Sequence, residues 1–202
     1  LGALGAAIGL ATVFLSNELR NVGWILLVIA IGAAISVPAS RMVQMTQMPQ
    51  LVALFNGVGG GAAAVVALLE LSHADSLGYL IAVAFTVFIG SVSFSGSVIT
   101  FLKLQELMTT RPVTFPGQQF VMGAVVLVAL VQAYLVITQG QLNWALALML
   151  LGLATGVLVV LPVGGADVPI VISLLNALTG LAVAASGLVL GNTLLLVGGT
   201  LV

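Results

Sequence analysis

Long uncharged apolar runs fill most of this chain, and the short breaks between them hold almost all of its charge. A helix needs about 20 consecutive apolar residues to span a bilayer. On that ruler the pattern predicts eight helices, at about 1–15, 22–40, 49–70, 77–102, 118–138, 142–162, 168–189 and 192–202. The outer two runs meet the chain's ends at Leu1 and Val202, so a fragment with shortened terminal helices is expected. Similar runs recur throughout, so the first is not read as a cleaved signal peptide. The expected fold class is an all-α integral membrane protein, with residues 1–202 forming a single transmembrane domain.

Composition sharpens this picture. Hydrophobic residues make up 61% of the chain and charged residues 4%, against roughly 25% charged residues in a soluble domain. A net charge of −1 gives no sign of a nucleic-acid partner, and the absence of cysteine excludes disulfides, thiol catalysis and cysteine-ligated metals. The four basic and five acidic residues lie in connections or at helix ends. Arg41, Lys103 and Arg111 fall on one side by alternation. The positive-inside rule then places the loops around 41–49, 103–117 and 163–167 in the cytoplasm. Glu18, Arg20, Glu70 and Asp75 mark the other side.

Two stretches share a skeleton. Pro49, Asn56 and Gly60 recur 120 positions later as Pro169, Asn176 and Gly180. The same ungapped shift pairs Trp24 with Trp144 and gives further identities over 41 positions. A unit of four helices keeps both copies in the same direction, so a parallel internal repeat is expected. Proline is at home in the first helical turn. Each asparagine then lies roughly 10 Å deeper along the axis. An amide at that depth is costly without a partner and belongs in a bundle interior or on a water-filled path. Interhelical hydrogen bonding alone is the plainer account of both amides.

The fourth helix carries Ser91, Ser93, Ser95, Ser97 and Thr100. Ser93, Ser97 and Thr100 share a face, which reads either as bonding to the helix's own carbonyls or as a polar stripe toward Asn56 or Asn176. Gly57 to Gly61 and Ala62 to Ala64 read as close packing between helices. That glycine run lies within a membrane helix, so it is no dinucleotide fingerprint. His73, with Glu70 and Asp75, reads as a solvated loop histidine or as a proton acceptor at the mouth of a path. Metal binding by that trio is a weaker reading. Asp167 reads as an N-cap of the seventh helix or as a carboxylate exchanging protons at the inner mouth. Asparagine does not titrate, so any titratable relay must come from another subunit.

Three motifs, in order, resemble one family. They are Met45-Thr46-Gln47-Met48-Pro49-Gln50-Leu51-Val52-Ala53-Leu54, Phe94-Ser95-Gly96-Ser97-Val98-Ile99, and Gly164-Gly165-Ala166-Asp167-Val168-Pro169 continuing through Ser173 to Asn176. They are similar to the membrane domain of the proton-translocating NAD(P) transhydrogenase β subunit. The resemblance implies a multi-pass protein of the cell's inner (plasma) membrane, working in a dimer of protomers. It implies hydride transfer between NAD(H) and NADP(H) on soluble domains, coupled to proton movement through this one. The NADP-binding domain would follow residue 202 and the NAD-binding domain would lie on the α subunit. No hydride-transfer, cofactor or metal site is expected within 1–202.

By motif, Asp167 and Asn176 correspond to residues the family ties to proton coupling. Asn56 stands where many relatives have histidine, so a histidine of the α subunit, or water alone, would take over. The expected proton path comprises Asn56, Asn176, Ser173, Ser93, Ser97 and Asp167. The expected docking loops present Arg41, Thr46, Gln47, Lys103, Arg111 and Asp167. A secondary transporter of a small solute, built from parallel repeats, is the alternative, and a structural anchor a third reading.

Overall fold

The computed structural model describes residues 2–16 and 21–202; Glu18 and Arg20 lie outside them. The described residues form helices α1 (Gly2–Ser16), α2 (Val22–Met42), α3 (Met48–Glu70), α4 (Leu77–Leu104), α5 (Gln118–Gln139), α6 (Leu142–Val160), α7 (Val168–Val189) and α8 (Thr193–Leu201). Short 3-10 turns at Met45–Gln47, Leu71–His73 and Gly165–Asp167 complete the regular structure. All eight expected helices form, but among the described residues six are long and apolar enough to cross a membrane. α1 has 15 residues and α8 nine, so the expectation of eight spans is corrected to six.

The chain packs as two compact units, residues 1–44 and 45–202. In the first, α2 contains Pro38, which removes one rung from the helix ladder. In the second, α4 is the central rod. It packs against α3, α6, α7 and, less extensively, α5, while α3 also meets α7 and α7 meets α8.

Glycine sets how closely these helices approach. A Cβ at Gly90 would stand 2.5 Å from the carbonyl oxygen of Gly60, so α3 and α4 touch backbone to backbone. Gly152 and Gly156 do the same for α6 on α4. Where lipid is as apolar as leucine, such close contact replaces the hydrophobic effect as the force between helices.

The 120-residue shift survives locally and fails in packing. α3 and α7 both start from a 3-10 turn, with cap residues Gln47 (φ −96°, ψ −1°) and Asp167 (φ −94°, ψ −1°) in nearly the same conformation. Beyond that turn they bury different faces. α3 buries Ala53 and Gly57, whereas the matching Ser173 and Ala177 of α7 are exposed and Val171 and Leu175 are buried instead.

Candidate functional site: a polar junction of three helices

Hydroxyls in an apolar helix have a default partner, the carbonyl one turn back. Ser91, Ser95 and Thr100 of α4 take it, donating to the carbonyls of Val87 (2.6 Å), Ser91 (3.1 Å) and Gly96 (2.8 Å). Ser93 and Ser97 point to neighbouring helices instead. The Asn56 amide nitrogen on α3 donates to Ser97 Oγ at 2.9 Å and to Ser93 Oγ at 3.3 Å. Gly57 and Gly60 make that reach available: a Cβ on either would stand 3.0 Å from the Cβ of Ser97 or Ser93.

α7 closes the junction with Thr179. Its hydroxyl is hydrogen-bonded to that of Ser93, and both lie 3.0 Å from the Leu175 carbonyl oxygen. Each hydroxyl has one hydrogen to give. Ser93 can donate to Thr179 while Thr179 donates to Leu175, or the two roles can exchange. Ser93 is fully buried and Ser97 nearly so. The junction can therefore orient hydrogen bonds and reverse their direction, but contains no group that stores a proton near neutral pH.

The other expected path residues lie elsewhere. Ser173 is exposed and donates to the Pro169 carbonyl of its own helix at 3.2 Å. Asn176 is on the same exposed face and has no hydrogen-bond partner among the described residues. Asp167 is exposed at the start of α7 and makes no side-chain cap, so the N-cap reading gains no bond. His73 Nδ1 lies 3.7 Å from Glu70 Oε2 on an exposed loop.

Of the docking residues, Arg41, Thr46, Gln47 and Arg111 are exposed. Lys103 is not on that surface. It is fully buried, and its ammonium donates to the carbonyls of Val160 (3.1 Å), Leu161 (2.6 Å) and Val163 (2.7 Å). A cation there satisfies the orphan acceptors at the C-terminus of α6 and meets the negative end of its dipole. The loops beside it are also tied together. Val113 N donates to the Leu161 carbonyl at 3.0 Å, and Gly165 N to the Thr110 carbonyl at 2.9 Å. Gln50, in the first turn of α3, donates to the Leu104 carbonyl at 2.9 Å.

Over residues 1–202 the sequence matches the family described as NAD(P) transhydrogenase beta subunit. The chain belongs to that family. It is 41% identical over 212 residues to the NAD(P) transhydrogenase subunit beta of Rhodospirillum rubrum, covering all of this chain and 46% of that protein. A second Rhodospirillum rubrum sequence of the same description matches equally. The chain thus spans about half the length of the curated relatives it matches.

With the six membrane-spanning helices, membership makes this a multi-pass membrane protein of the transhydrogenase beta-subunit family, and the solute-transporter alternative is set aside. The glycine run of this beta-subunit chain cannot cradle a nucleotide phosphate. It lies inside α3, where a Cβ at Gly61 would stand 2.9 Å from the Phe94 ring. One residue of the junction, Thr179, was missed in the sequence, and Lys103 was expected on a docking loop rather than buried against α6. Thr179 aligns with Gly59 under the 120-residue shift, so the repeat gave no signal for it. Lys103 sits in the last turn of a 28-residue apolar helix, a position that reads as a loop charge until α6 is placed beside it.

Proposed function

We propose that residues 1–202 form the proton-translocating membrane domain of an NAD(P) transhydrogenase. In this reading proton movement across the membrane is coupled to hydride transfer between NAD(H) and NADP(H). The observation that carries it is the Asn56–Ser93–Ser97–Thr179 junction, a buried polar contact among three apolar helices in a chain that matches the beta-subunit family from end to end. Asn56 and the hydroxyls orient water, and the water carries the proton. Both nucleotides bind on other domains of the enzyme, NADP(H) on a further domain of this polypeptide and NAD(H) on the α subunit.

Asn176 and Ser173 belong to the same path through a partner. An amide facing hydrocarbon is expensive, so the exposed face of α7 is covered in the assembled enzyme by a membrane helix of the α subunit. A histidine there would supply the titratable group that Asn56 lacks. Asp167, with Thr46, Gln47 and Arg111, belongs to the cytoplasmic docking loops, as does the separate segment around Arg41. A change of protonation there shifts the docking of the NADP domain, so the proton gradient acts as a difference in affinity between two states. The complex works as a dimer of protomers in the inner membrane.

The test uses the complete enzyme in sealed vesicles, reading proton flux and nucleotide reduction together. Asn56→Leu removes one donor from two serine acceptors, a loss of about 1–1.5 kcal/mol, which is about tenfold in the proton-coupled rate. Asn56→Leu vesicles that kept the full coupled rate would remove the junction from the path.

A further inference from the structure

The polar junction has a counterpart two helical turns away on the same seam. A seven-residue step along a helix returns to nearly the same face, about 10 Å further on. On α4 that step leads from Ser93 back to Thr86; on α7 it leads from Thr179 on to Ser186. The shared acceptor moves with them, from the Leu175 carbonyl to that of Ala182. Each node therefore combines one hydroxyl from each helix with one carbonyl of α7. The second node lies on the side of the junction away from Asp167.

The two nodes differ in how well they are satisfied. At the junction the hydroxyls are bonded to each other, and both lie 3.0 Å from the Leu175 carbonyl oxygen. At the second node Thr86 reaches the Ala182 carbonyl only at 3.5 Å, too long for a strong bond. The Ser186 hydroxyl has no partner among the described residues. Thr179 takes the carbonyl one turn back on its own helix, and Ser186 does not. Thr86 is 0% exposed and Ser186 5%, so neither faces the membrane or the solvent. Native proteins rarely leave a buried hydroxyl unpaired.

We propose that Thr86 and Ser186 hold one buried water molecule between α4 and α7, a hydration site serving the junction from the end opposite Asp167. Ser186 donates to the water, and the water donates to a lone pair of Thr86, whose own hydrogen stays on Ala182. Two or more polar partners of this kind are what a buried water requires. An entrance lies beside the site. Tyr79, one further seven-residue step along α4, lines a cleft of about 280 Å³ with Ser76, Gly78 and Leu188. The role of the site rests on the proton-translocating reading above and gives one of its waters a place. Its occupancy rests on the Ser186 hydroxyl alone.

Electron cryomicroscopy of the complete enzyme in lipid nanodiscs tests occupancy. The map should show solvent density within about 3 Å of both Ser186 Oγ and Thr86 Oγ1, lost in Ser186→Ala. A map with no such density and Ser186 turned onto the Ala182 carbonyl would overturn the site. In sealed vesicles, Ser186→Ala and the isosteric Thr86→Val should each slow the proton-coupled rate about fivefold. Ser186→Thr, which keeps the hydroxyl, should stay near wild type. The double variant should be no slower than the slower single one, because both hydroxyls act through one water. Ser91→Ala is the control, since that hydroxyl serves its own helix. An equal loss in Ser91→Ala, or losses that multiply in the double variant, would overturn the shared site. Wild-type vesicles that transfer hydride without moving protons would instead overturn the proposed function and leave the density in place.

Discussion

Replacing Gly156 with alanine should cost about 3 kcal/mol of stability, at the upper end of what overpacking does. The new Cβ would collide with the Val92 carbonyl oxygen and with Ser95 Oγ, and would stand 2.9 Å from Gly96 N. Two of those three atoms are backbone of α4, so no side-chain rotation relieves the clash. α6 has to back away from the central rod along the contact that also positions Val160. Alanine's better helix propensity returns only about 1 kcal/mol. Gly123 on α5 is the control, because a Cβ there meets nothing within 4 Å. Thermal unfolding of the detergent-purified complex should show Gly156→Ala well below wild type and Gly123→Ala at or above it. Equal melting of the two variants would contradict the tight α4–α6 contact.

Lys103→Met should be nearly as damaging, by about 3 kcal/mol, because it strips the donor from three carbonyls at once. Removing a buried charge recovers some desolvation, and methionine fills much of the space. The unpaired acceptors at the end of α6 still dominate. Lys103→Arg should rescue only in part, since a planar fork cannot place its donors as a rotating ammonium does. Hydrogen exchange offers a local readout. The amides of Val113 and Gly165, bonded to Leu161 and Thr110, should exchange faster once the α6 end loosens. A lysine on a docking surface would behave differently, with stability unchanged within about 0.5 kcal/mol.

Lys103 also shows where sequence reasoning stops. Helix positions were legible because the bilayer imposes a length, and Pro49 and Pro169 mark first turns by the chemistry of a missing N–H. The rotation of each helix was not legible. A soluble helix announces its buried face by an apolar stripe, but α3 and α7 are apolar on every side, so the 120-residue match could not tell that Asn56 faces α4 while Asn176 faces outward. The α4 hydroxyls have the same ambiguity. Ser93 and Ser97 differ from Ser91 and Ser95 only in which neighbour lies opposite, and that neighbour is fixed by Gly57 and Gly60 on another helix.

The link from Gln50 to Leu104 gives α3 a second latch. Asn56 lies six residues further along the same rod, roughly 9 Å away. Spinning α3 far enough to free the amide from its serines would unhook the glutamine as well. The helix therefore behaves as a spindle clamped at two heights, and torque applied at one clamp is felt at the other.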